Sequence, residues 1–190
     1  AEGMLQGRVF IQYEIENAGI KSFQLRAPAP GTVLSVLGRG IAKVTETDKP
    51  QALWQVDLHN KVEDSYGMEV TYQVPFNAND ARAEILPLRT VNTEPQKGYL
   101  VVLSAGRVQV KPEQDSAPGL KPEDSRSIPA AFGAGDLSDA ILCYRAVHGV
   151  YALKLSVVRH DAAEVLPARV EDVALTSVVS DRGQLLTHLA

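Results

Sequence analysis

The run Tyr66-Gly67-Met68-Glu69-Val70-Thr71-Tyr72-Gln73-Val74 decides the fold class. Tyr66, Met68, Val70, Tyr72 and Val74 are large and apolar, and the residues between them are Gly or polar. Side chains i and i+2 of a strand share a face, so this run has one face to bury and one to leave in water. The pattern recurs upstream, where Val9, Ile11, Tyr13 and Ile15 alternate with Phe10, Gln12, Glu14 and Glu16. It recurs again in Trp54, Val56 and Leu58 against Gln55 and Asp57, and in Tyr151, Leu153, Leu155 and Val157 against Ala152, Lys154 and Ser156. These runs are rich in β-branched and aromatic residues, which suit a pleated, half-buried surface.

Glycine-bearing turns punctuate the runs. Asn17-Ala18-Gly19 separates two of them, and Gly38-Arg39-Gly40 separates Thr32–Leu37 from Ile41–Thr45. Ala105-Gly106, His148-Gly149 and Asp181-Arg182-Gly183 stand in the same relation to their neighbours. Short strands joined by such turns read as hairpins, and hairpins are antiparallel. The sequence therefore predicts an all-β fold, an antiparallel β-sandwich or partly closed barrel with many hairpins. Helix is confined to one turn at Asp136–Ala140, where Asp136 and Asp139 suit caps.

Composition agrees with a folded domain. Of 190 residues, 45% are hydrophobic and 22% charged, the balance of a globular chain and not of a disordered one. No apolar run approaches the ~18 residues of a membrane-spanning helix. No secretory leader pattern opens the chain. A net charge of −4 argues against a nucleic-acid partner. The single cysteine, Cys143, excludes an intrachain disulfide and a multi-cysteine metal site.

The segment Lys111–Ser127 breaks the strand pattern with Pro112, Pro118 and Pro122 and seven charged residues. It predicts a long, exposed polar loop. A division near residue 90 gives a β-sandwich module over 1–90 and a second β-rich module over 91–190, or one continuous sandwich. The terminal runs Gly3–Phe10 and Gly183–Ala190 can be laid over one another, sharing Gly and Leu. Gln184–Ala190 reads as the second arm of a hairpin with Val173–Ser180. Its pattern stops without a polar tail, as at a boundary inside a larger protein or at a docked last strand. As an edge it predicts dimerisation through that strand.

Motifs for catalysis are faint. Ser104 has Gly106 but Val102, so it lacks the two glycines of a nucleophile elbow. Gly38-x-Gly40 and Gly133-x-Gly135 read as turns, since a phosphate loop needs a helix N-terminus behind it. His59, His148, His160 and His188 lie on separate segments, unlike the local ligand pairs of a zinc site. Asn77, Asn79, Asp80 and Glu84 form the best hard-cation candidate, offering up to four oxygens from one loop. They lack the central Gly of an EF-hand and read more readily as an Asx-turn loop after Pro75. Glu14, Glu16, Asp57 and Glu69 fall on the water-facing side of their strands. Trp54 shares the apolar face of Val56 and Leu58, which places it in the core, while Tyr99 and Tyr144 are the tyrosines available for stacking on a sugar. The residues thus predict no catalytic group, no cofactor and no metal beyond that weak candidate.

From Tyr13 to Pro75 the order of elements resembles β-sandwich modules of large bacterial exported or surface proteins. The resemblance is carried by Tyr13-Glu14-Ile15-Glu16-Asn17, by the run Phe23–Val36 with its Pro28-Ala29-Pro30-Gly31 centre, by Trp54–Leu58 and by Val70–Pro75. It implies export to the periplasm or cell surface, multi-module architecture and a non-catalytic structural or interaction role with a protein or glycan partner. The alternative from another class is a carbohydrate-binding or carbohydrate-active accessory module.

Overall fold

The computed structural model describes residues 2–77, 81–94, 98–103, 108–113, 116–129, 137, 139–147, 150–159, 175–179 and 185–189. They are all-β, with one short 3-10 turn at Ser125–Ser127 and no α-helix among the described residues. The chain divides into two compact units, Ala1–His160 and Asp161–Ala190.

The first unit begins with a long two-stranded ribbon. Strands β1 (Glu2–Arg26) and β4 (Leu53–Asn77) have 25 residues each and pair antiparallel. Straight, each would span roughly 80 Å at ~3.3 Å per residue. They fold back instead. Tyr13 and Phe23 lie ten residues apart on β1, which is roughly 33 Å of straight strand, yet their ring centroids are 4.4 Å apart. The corner falls where the ladder breaks, between Ile15 and Ser22 on β1 and between Asp57 and Asp64 on β4. Each strand uses seven residues from one regular rung to the next, Ile15 opposite Asp64 and Ser22 opposite Asp57. The irregularities cancel, so the inward face is the same on both limbs. On β4 that face carries Val56, Leu58, Tyr66, Met68, Val70 and Tyr72, all buried. On β1 it carries Tyr13, Phe23 and Leu25.

This corner replaces a sequence-predicted turn. Asn17-Ala18-Gly19 does not divide two hairpin strands but lies within β1 at the break in its ladder. The backbone there stays extended enough to continue, and the positive φ falls on the opposite strand, at Asp64 (φ 64°).

Strands β2 (Thr32–Gly38) and β3 (Ile41–Asp48) flank β4, β2 along the first limb and β3 along the second. Both run antiparallel to β4, so they run in one direction and are not the hairpin expected across Gly38-Arg39-Gly40. Arg39 and Gly40 (φ +69°) take the chain across the corner, a conformation that Gly adopts without a Cβ penalty. The corner is tied there twice. The His59 N–H donates to the Gly40 carbonyl at 2.9 Å, and the Tyr66 hydroxyl donates to the Arg39 carbonyl at 2.9 Å. Phe23 stacks on Tyr66 with centroids 5.1 Å apart, so three aromatic rings fill the space between the limbs. Trp54, Val9, Ile11, Ile15 and Val36 pack around this core.

The second core is built from two three-stranded sheets. One has the order β7 (Gly98–Leu103), β10 (Ala140–Ala146), β9 (Leu120–Pro122). The other has β5 (Arg82–Ile85), β11 (Leu153–Arg159), β8 (Val108–Pro112). Val102, Leu120, Tyr144, Ala146, Leu153 and Leu155 are buried together. Strand β6 (Arg89–Val91), between β5 and β7 in sequence, pairs instead with the end of β1.

Two further hairpins expected from glycine turns are crossings between sheets. Strand β7 pairs with β10 and β8 pairs with β11, so these consecutive strands lie in different sheets, and Ala105-Gly106 between them lies outside the described residues. Strands β10 and β11 also lie in different sheets, and His148-Gly149 between them lies outside the described residues.

The segment 111–127 is not an exposed loop throughout. Leu120 is its one large aliphatic side chain, and it is buried in the second core. Strand β9 pairs with β10, and Ser116 is buried with its hydroxyl oxygen 2.5 Å from the Glu113 carbonyl and 3.0 Å from that of Lys154. The prolines fit because each sits at a strand end or turn. One apolar residue amid charges is a weak sequence signal, which is why the segment reads as solvent-facing.

The second unit holds the expected hairpin. Strand β12 (Leu175–Val179) pairs antiparallel with β13 (Leu185–Leu189), Leu175 opposite Leu189 and Val179 opposite Leu185. Its turn, including Asp181-Arg182-Gly183, lies outside the described residues.

Candidate functional site

The feature with the clearest capacity to recognise something is the outer edge of β1. Strand β6 joins β1 only at Gln24–Arg26. From Glu2 to Ser22 no described strand pairs with that edge. Alternate backbone N–H and C=O groups there point away from β4, which makes the edge a template for another strand.

Two glycines let aromatic rings of β4 lie against this strand. Gly3 lies opposite Phe76 and Gly7 opposite Tyr72. Each aromatic ring folds across its glycine, so a Cβ on Gly3 would come 2.4 Å from Phe76 Cζ and one on Gly7 2.2 Å from Tyr72 Cζ. A ring laid over a cross-strand glycine covers backbone that glycine leaves bare. The sequence holds this signal as paired spacings, Gly3 and Gly7 against Tyr72 and Phe76, visible only once the register is known.

The outward face of this limb carries Gln6, Arg8, Gln12, Glu14 and Glu16, all exposed. The Arg8 guanidinium meets the Glu69 carboxylate at 3.2 Å. The strand on the other side, β2, is bulged at Leu34 between Val33 and Ser35, and it exposes Leu34 and Leu37.

The other candidate residues scatter. Asn77 ends β4 opposite Glu2, and Glu84 lies on β5 opposite Lys154, in a different sheet. Asn79 and Asp80 lie outside the described residues. Among the described residues no three His, Cys, Asp or Glu stand together as a metal-binding group. His59 is exposed on β4 and His188 lies on β13, while His148 and His160 lie outside the described residues, as do Ser104, Gly133, Gly135 and Asp136. Asp57 accepts a hydrogen bond from the Gln55 amide at 2.8 Å. Two more acidic groups face arginines, Glu113 with Arg82 at 3.0 Å and Glu123 with Arg145 at 3.8 Å.

Tyr144 is corrected from sugar-stacking candidate to core residue, because β10 turns it inward with Ala146. Tyr99, one rung along on β7 opposite Arg145, is half-buried. Cys143 is also half-buried, on the face of β10 away from Tyr144, and burial followed by the nearby Asp124 charge pushes its thiol up. A raised thiol is a poor nucleophile at neutral pH. Burial likewise raises the Tyr13 and Tyr72 phenols. Tyr151 is pushed up to about 12, by burial first and by Tyr72 second. Tyr13 Oη and Trp54 Nε1 are buried without a hydrogen-bond partner among the described residues.

The chain was compared with protein-family models, with curated proteins and with solved structures, and it matches none of them.

Proposed function

We propose that this chain is a non-catalytic interaction module of a larger bacterial exported or surface protein, and that it works by presenting strand edges on a rigid folded ribbon. The observation that carries the reading is the edge of β1 from Glu2 to Ser22, unpaired among the described residues, beside an intact core. Main-chain pairing along such an edge supplies affinity, and alternate side chains supply specificity. The ion-paired state of Glu69, Glu113 and Glu123 supports a surface role for these carboxylates. The likeness of Tyr13–Pro75 to exported sandwich modules supports the location. Surface digestion of intact cells that make the full-length protein tests it. Protease added outside should remove an epitope placed at the exposed Lys49-Pro50 turn without prior lysis. An epitope that is cut only after both membranes are broken overturns the exported reading. A glycan array serves the carbohydrate reading, which has lost Tyr144 as a platform and keeps Tyr99.

A further inference from the structure

We propose that two copies of this chain pair along the free edge of β1, antiparallel about a two-fold axis at Ile11, so that their first limbs join into one sheet. The inference rests on the interaction reading and names its partner. Three observations lead to it.

Among the described residues the edge is guarded only by the charges of Glu2, Arg8 and Glu14. Exposed edges in soluble proteins are usually blunted by Lys, Pro, a bulge or shortness. Glu2–Ile15 has no Lys and no Pro, and its pairing with β4 runs without a register break.

The core thins at this edge. Val9 lies opposite Val70 and Ile11 opposite Met68. Val70 and Met68 are buried, whereas Val9 and Ile11 are half-buried against the same core. The difference is position, since β4 has a strand on each side and β1 here has one.

The side chains select a register. An axis at Ile11 sets Arg8 of each copy opposite Glu14 of the other, so two opposite-charge pairs form across the junction. On the same outward face Phe10 meets Gln12. On the inward face Val9 meets Tyr13 and Ile11 meets itself, which extends apolar surface across the boundary. An axis at Phe10 sets Arg8 against Gln12 and leaves Glu14 against Gln6. An axis at Gln12 pairs Arg8 with Glu16, which lies past the last regular rung of the ladder, and sets Phe10 against Glu14. Any axis between residues pairs inward with outward side chains. A second copy of this edge thus complements it in charge and in face over residues 7–15.

Sedimentation velocity on the 190-residue chain over a concentration series gives the dissociation constant. Glu14→Arg replaces both attractive pairs with Arg–Arg contacts and should weaken association roughly tenfold. In a Glu69→Gln background, which takes away the carboxylate that Arg8 meets within its own chain, the exchange Arg8→Glu with Glu14→Arg should restore it. Register is read separately in a Cys143→Ser background, by mixing Phe10→Cys chains with Gln12→Cys chains under mild oxidation. The mixture should cross-link, and neither variant alone should. A monomer at the highest attainable concentration overturns the proposal. So does a dimer that ignores these substitutions, or one lost instead on removing residues 161–190. Self-cross-linking of Gln12→Cys overturns the register. A monomeric result leaves the surface-digestion test of the module reading untouched, so the two can fail separately.

Discussion

Replacing Tyr13 with Phe removes one buried oxygen from the corner of the ribbon and leaves the ring. The ring contact with Phe23, centroids 4.4 Å apart, is kept, and so is the position opposite Tyr66. Tyr13 is 8% exposed and its Oη has no hydrogen-bond partner among the described residues. Folding therefore strips this hydroxyl of water and gives it no protein acceptor in return. Such a group costs about 1–3 kcal/mol. Deleting it opens a gap of one oxygen, which forfeits a few dispersion contacts of ~0.1–0.2 kcal/mol each. The expected net effect of Tyr13→Phe is a gain of about 1 kcal/mol. Tyr66→Phe is the matched control with the opposite sign. Its hydroxyl donates to the Arg39 carbonyl at 2.9 Å, so its loss should destabilise by about 0.5–1.5 kcal/mol. Urea unfolding followed by Trp54 fluorescence reads both, with the slope unchanged and the midpoint moving in opposite directions. Two shifts of the same sign, or a loss above about 1 kcal/mol for Tyr13→Phe, would refute the account of the corner.

Gly7→Ala should destabilise by about 1–3 kcal/mol, because its Cβ would enter the Tyr72 ring at 2.2 Å and that ring is buried. The same change in a Tyr72→Leu background should cost markedly less, and an undiminished cost in the melting temperature counts against the ring as the cause. Ser116→Ala should cost about 1 kcal/mol by removing a buried hydroxyl that bonds to the Glu113 and Lys154 carbonyls. Limited proteolysis should spare 116–128 in the native chain and cut there in this variant, and early native cuts would show that β9 is not docked. Stability should fall as pH rises above 10. Unfolded tyrosines release their protons near 10, whereas Tyr151 holds its own to about 12, so the folded state binds more protons in that window. The contribution is fully present below pH 10 and is lost as pH climbs through 12. Denaturant midpoints that stay flat from pH 9 to about 11.5 would contradict the burial of these phenols.

Much of the fold is legible because one face of each long strand must be buried. The alternation of Tyr66 through Val74 and of Trp54, Val56 and Leu58 maps directly onto the inward face of β4. That the two runs belong to one strand is not legible. Between them His59, Asn60, Lys61, Glu63, Asp64 and Ser65 have the composition of a loop, and all are exposed. They are polar because a folded ribbon points the outside of its corner into water, a tertiary fact that local pattern does not encode. The Ser116–Ile128 segment errs the other way. Leu120 and Ile128 suffice to dock it, and two buried side chains among many charges leave no period to read.

The candidate edge shows why turn chemistry alone misassigns topology. A glycine reports that the backbone needs freedom at a point, not where the chain goes next. Gly40 with φ +69° serves a break between two strands that run the same way along β4. Gly19 lies in a corner whose positive φ belongs to Asp64 on the facing strand, and the consecutive strands β7 and β8 lie in different sheets. A hairpin in place of the corner would have capped β1 near Glu16 and hidden half its length in a local pair. The folded ribbon instead pairs both limbs of the 25-residue β1 with β4, with no second described neighbour for most of their course. That long, single-sided pairing is what leaves an edge open, and it arises from the cancelling breaks between Ile15 and Ser22 and between Asp57 and Asp64. Removing one residue from only one of the two corner segments would spoil that cancellation. On that limb the inward residues would then face water, so the open edge and the core stand or fall on the same seven-residue match.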